Sequence, residues 1–177
     1  MARYGRVPGL LDASSQLLYD TNLLVAGTAT YRFFTTPISG TKSRLSTNMV
    51  LNGVLPSPQS FLVKAVRLIL KGSATTAIAD HCLNNSYLIF KVGEKEALVA
   101  PSMLFSAGCG VASHITTDVA QNGIPDARSL WALDQPIMIG INQAFYVEMV
   151  YDTAPATATA GVKVLIVLDG DQTRGVQ

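Results

Sequence analysis

Residues 144–152 read AFYVEMVYD, with Phe145, Val147, Met149 and Tyr151 on one parity and Tyr146, Glu148, Val150 and Asp152 on the other. Successive side chains of an extended chain point to opposite faces, so this spacing predicts a strand half buried in a sandwich. The run PIMIGI from Pro136 precedes it and VKVLIVLD from Val162 follows, divided by Asn142-Gln143 and by an Ala/Thr-rich loop. Three strands therefore close the chain.

Upstream, ATYRFFT at 29–35 is aromatic and β-branched and lies between Gly27 and the turn Pro37-Ile38-Ser39-Gly40, which predicts a strand. STNMVL at 46–51 predicts another, stopped by Asn52-Gly53, a pair that favours positive φ. Residues 57–70 are ambiguous. Ser57 and Pro58 would suit the N-cap and first position of a helix, yet FLVKAVRLIL also reads as a strand, with apolar side chains on both parities. Its β-branched content and strand-rich surroundings favour the strand. YLIFKV at 87–92, ALVA at 97–100 and Met103 to Phe105 read as further strands, the first two joined by the turn Gly93-Glu94-Lys95-Glu96. Residues 106–131 read as a long loop, with a short helix as a further option at 124–133. No sustained period marks 1–22, which reads as an extended arm that could include one helical turn. About eight antiparallel strands predict an all-β fold, a jelly roll or two-sheet β-sandwich. Residues 1–28 form the N-terminal arm in this reading and 29–177 a single β-sandwich domain.

Composition then narrows the function. The chain is 49% hydrophobic but only 14% charged, with 13 basic and 12 acidic residues. Charge is depleted from interface cores, so a surface this poor in it predicts a subunit covered by its neighbours. Scattered Lys and Arg do not suit direct, sequence-specific nucleic-acid binding, and Arg3 and Arg6 read as a solvated terminus rather than a genome-binding arm. The opening MARYGRVPGL lacks the apolar core of a secretory signal, and no run approaches the ~18 apolar residues of a membrane span. Synthesis and folding in a cytoplasm is the expectation.

Five groups of residues are candidates for chemistry or binding. His81, Cys82, Cys109 and His114 are zinc-ligand types, but neither adjacency nor a C-x4-H spacing presents two ligands from one tight turn, so loop histidines and buried thiols are expected. Cys109 between Gly108 and Gly110 offers a nucleophile that His81 or His114, oriented by Asp80 or Asp118, would activate, although no flanking signature accompanies it. Glu94 and Glu96 read as turn residues. Asp169-Gly170-Asp171 resembles a fragment of a calcium loop placed after the last strand, without the remaining ligands. Trp131, the sole tryptophan, reads as a core or interface anchor. No catalytic, metal or cofactor residue is assigned.

The segment TNMVLNGVLPSPQSFLVKAVRLIL at 47–70, the strand-dense last third and the Ala/Thr/Ser-rich surface together resemble the small jelly-roll capsid (coat) proteins of tailless icosahedral bacterial viruses. The resemblance spans about residues 29–168. It implies two four-stranded sheets and a homo-oligomer assembling into capsomers of an icosahedral virion shell. It also implies a second capsid protein or a pentameric vertex protein as partner, and in several such viruses a membrane beneath the shell. This chain departs from many jelly-roll coats in lacking a strongly basic arm, which suits a shell kept apart from the genome. Two other readings remain: a carbohydrate- or cell-surface-binding sandwich that uses Trp131, and a cysteine hydrolase that uses Cys109.

Overall fold

The computed structural model describes residues 11–39, 41–71, 76–105, 111–112, 121–122, 132–155 and 161–175. In chain order its elements are β1 (Leu11–Leu23), β2 (Thr30–Phe33), β3 (Ser60–Lys71), α1 (Thr76–Asn84), β4 (Ser86–Val92), β5 (Lys95–Pro101), a 3-10 turn (Ser102–Phe105), β6 (Val111–Ala112), β7 (Gln121–Asn122), β8 (Ala132–Ile139), β9 (Phe145–Tyr151) and β10 (Lys163–Gly175). Two four-stranded antiparallel sheets form a sandwich, in the orders β1-β10-β3-β8 and β2-β9-β4-β5, with β6 and β7 as a separate short ladder. The fold is all-β and two-sheeted, as the alternating strands predict.

The pairing is nested. Among the eight longer strands the first pairs with the last (β1 with β10), the second with the seventh (β2 with β9), the third with the sixth (β3 with β8) and the fourth with the fifth (β4 with β5). Two further pairings, β10 with β3 and β9 with β4, complete the sheets. Between the sheets lies the core, in which Phe33, Phe61, Phe90, Phe145, Leu88, Met149, Ile166 and Leu168 are fully buried. In β9 the side chains Phe145, Val147, Met149 and Tyr151 all point into it, as their parity predicts.

The ambiguous segment is a strand, and its apolar content on both parities has a structural cause. Phe61, Val63 and Ala65 are buried in the first half of β3, then Val66, Leu68 and Leu70 in the second. Between the halves, Val63 lies opposite Gly170 and Ala65 opposite Asp169, so Lys64 is an extra residue with no partner on β10. This bulge switches the inward parity. Gly170 makes room for it, because a Cβ there would lie 2.0 Å from the Leu62 carbonyl oxygen and 2.8 Å from the Phe61 ring.

Several expectations are corrected. Within the region expected to be an arm, Leu11–Leu23 is a full strand of the first sheet, its sequence pattern hidden because much of it is small, polar and exposed. Residues 46–51 contribute only an isolated bridge between Thr47 and Asp20, since the Asn48 side chain takes the place of a ladder, accepting from Tyr19 N at 2.9 Å and donating to Leu17 O at 2.6 Å. Met103 to Phe105 lie in the 3-10 turn, not a strand. The expected turns at Gly53 and Gly93 both take positive φ, each 61°.

One polar clamp sits inside this frame. The fully buried Asp20 accepts from Lys42 Nζ at 2.7 and 2.9 Å and from Phe34 N at 2.7 Å. Phe34, itself fully buried, holds a φ of 69°, which L side chains rarely adopt. The carboxylate thus fixes a strained corner between the sheets.

Two stability predictions follow from these contacts. Gly170→Ala should lower unfolding free energy by about 1–3 kcal/mol through forced overpacking, read as a shift in the denaturant midpoint. Asp20→Ala, which leaves Lys42 facing a buried void, should cost about 3–5 kcal/mol in the same measurement.

Candidate functional site

Register decides where the few charged residues meet. On the outer face of the second sheet, Arg32, Glu148, Ile89 and Val99 form one row across all four strands. Glu148 is buried although its parity faces outward, because Arg32 Nε approaches it at 2.6 Å and Lys91 Nζ at 3.9 Å. Lys91 also reaches Glu96 at 3.4 Å, and both cations lie over the Tyr146 ring. The hydrogen bond to Glu148 raises the Arg32 pKa, and that to Glu96 raises Lys91. Two cations and two carboxylates leave this face without net charge.

The first sheet repeats the arrangement. Arg67 pairs with Asp169, Lys64 with Asp171 at 2.5 Å and Arg174 with Asp12 at 3.1 Å. Asp169-Gly170-Asp171 is therefore not a loop after the last strand: it lies within β10, its carboxylates engaged by cations of β3 and its glycine at the bulge. The hydrogen bond from Lys64 lowers the Asp171 pKa, so this pair stabilises the fold above the usual carboxylate range and fades as acid protonates it. Together with Asp20, these contacts engage six of the 12 acidic residues inside the subunit.

Large apolar side chains are exposed as well, one of them, Val99, in the row of Arg32 and Glu148. Val99, Met103 and Leu104 stand close in sequence on β5 and the turn after it, and Met138 and Ile141 on β8 and the turn after it, each 45–56% exposed. Charge is paired off while apolar area is left open, a pattern suited to contact with another protein surface.

The residues expected from chemistry lie elsewhere. Cys109, His114, Asp118, Trp131, Arg3 and Arg6 fall outside the described residues. His81 and Cys82 lie on α1, a helix the sequence reading missed although Ile78, Ala79, Cys82 and Leu83 have helical spacing. Cys82 faces the core, where its Sγ accepts from the Tyr151 hydroxyl at 3.1 Å. Burial pushes the thiol up, and burial also raises the Tyr151 hydroxyl, so neither ionises readily. His81 stacks on the Tyr151 ring, its Nε2 donating to Thr153 O at 3.0 Å and its Nδ1 accepting from Asn85 at 2.9 Å. Asp80 accepts instead from Asn84. His81 thus makes no hydrogen bond to Asp80, one of the two carboxylates expected to orient it, and these groups pack α1 onto the second sheet. Glu96 pairs with Lys91, while Glu94 is exposed in the turn. Among the described residues no cluster of three or more His, Cys, Asp or Glu could hold a metal. No helix of the described residues is long and apolar enough to cross a membrane.

Comparison with known protein families, with curated proteins and with solved structures found nothing that matches this chain.

The buried thiol yields a direct test. Alkylation of Cys82 by iodoacetamide at neutral pH should run more than about tenfold slower in the native protein than in guanidinium, followed by peptide mass mapping; equal rates would contradict the Tyr151 contact.

Proposed function

We propose that this chain is a capsid subunit, a structural protein built on a jelly roll whose copies assemble into capsomers of an icosahedral virion shell. The observation that carries the reading is the surface: charge is scarce, half of the acidic residues are neutralised within the subunit, and large apolar side chains remain exposed on several edges. A free monomer gains nothing from such an exterior. An assembly does, because apolar area removed from water stabilises each contact by about 25 cal/mol per Å² and symmetry repeats the contact around the shell.

The jelly-roll part of the proposal draws on the nested pairing. One long hairpin, folded over so that its ends and its middle lie in two facing sheets, generates pairs of the first strand with the last and of each inner strand with its counterpart. Such folds host many functions, so the pairing supports the architecture and the surface supports the assembly. The family resemblance adds a second capsid protein or a pentameric vertex protein, an internal membrane and a virion location as parts of the same proposal, with no catalytic role for the chain.

Sedimentation velocity and negative-stain microscopy of the purified protein should show rings or closed shells that persist as salt is raised, since apolar contacts are not screened. Val99→Asp should weaken assembly while leaving subunit stability within about 0.5 kcal/mol. A wild-type protein that remains monomeric at high concentration would overturn the proposal.

A further inference from the structure

Each sheet ends in two strands whose outer backbone groups lack a ladder partner among the described residues, and three of these four edges are blunted. β2 spans only four residues, β5 carries Lys95 and Glu96 at one end and Pro101 at the other, and β8 contains Pro136. β8 is also irregular, since Val63 and Ala65 of β3 face Ile137 and Ala132. Short length, charge, proline and irregular register are the devices that prevent edge-to-edge pairing. β1 has none of them over Leu11 to Gln16. Its register to β10 runs without a shift, and its one charge there, Asp12, is paired with Arg174.

The direction of its free groups follows from Asn48. Because that side chain bonds Tyr19 N and Leu17 O, and Asn48 N donates to Tyr19 O at 3.2 Å, the odd-numbered residues of β1 turn their backbone groups away from β10. Strand alternation extends this to Ser15, Ala13 and Leu11. The segment containing Thr47 and Asn48 covers the edge down to Leu17, and the stretch beyond it is open among the described residues.

The geometry points to β1 of a second copy as the occupant, running antiparallel across a twofold axis at Ser14. This inference rests on the assembly reading and specifies one of its contacts. In that register Ala13 faces Ser15 of the second copy and exchanges two backbone hydrogen bonds with it, twice by symmetry. Asp12 faces Gln16, so no like charges meet. A parallel in-register pair would instead align the two Asp12 side chains. Self-complementarity of this kind is what an isologous interface needs, and it joins two first sheets into one continuous sheet of eight strands.

The test uses the full chain carrying Cys109→Ser. Ser14 lies at a non-hydrogen-bonded position on the axis, where facing Cα atoms are about 4.5 Å apart, within disulfide range. Ser14→Cys should therefore form a covalent dimer on mild oxidation, read on a non-reducing gel, whereas Asp12→Cys should not. Ser15→Pro removes an outward N–H, no backbone bond to β10 and only the exposed 3.3 Å hydrogen bond from the Ser15 hydroxyl to Asp171, and it should abolish the pairing while circular dichroism reports an intact fold. If Ser15→Pro fails to fold, the Ser14→Cys gel decides. Shells that form normally in Ser15→Pro, with no cross-link at position 14, would overturn the edge pairing and leave the capsid reading intact. A wild-type protein that stops at a dimer, together with a Ser14→Cys variant that cross-links, would keep the edge pairing and overturn the capsid reading.

Discussion

Lys64 has no partner across the sheet, and the inner face of the first sheet is organised around that extra residue. Without it, β3 would turn either Phe61 and Val63 or Val66, Leu68 and Leu70 toward solvent, because one uninterrupted alternation cannot bury both sets. The bulge requires close backbone approach, which Gly170 permits, and it releases Lys64 to the outside, where it meets Asp171. A single insertion thus sets the core packing, the glycine on β10 and one of the surface ion pairs.

The strands whose two faces differ were legible from sequence. In β9 one side contacts the core and the other carries Tyr146 and Glu148, so the period of two is plain. In β3 the bulge mixes the two parities, which is why a helix remained a rival although the strand reading held. β1 escaped notice for another reason: Asp12 to Gln16 lie on an outer strand where both faces reach solvent, and no hydrophobic period marks them. At 46–51 the reverse occurred. β-compatible residues form no strand because Asn48 satisfies the edge of β1 with its side chain. Helix α1 lacked a strong start signal, yet four apolar residues at helical spacing were available to reveal it.

The surface that carries the functional reading was half legible. Scarcity of charge is a compositional fact, but its neutralisation depends on register: Arg32 and Glu148 are 116 positions apart in the chain and meet only because β2 pairs with β9. The same holds for Arg67 and Asp169, separated by 102 positions. What looked like a fragment of an ion-binding loop is a run of strand residues engaged by cations from a neighbouring strand.

Because Leu11 lies opposite Gly175, the described chain enters and leaves at one corner of the first sheet. The nested pairing is therefore close to a closed circuit. A short linker could join Leu11 to Gly175, and the chain could be opened at another connection, such as the turn at Gly93-Glu94, while every strand kept its neighbours. The order of strands along the polypeptide is one of several cyclic orders compatible with this sandwich.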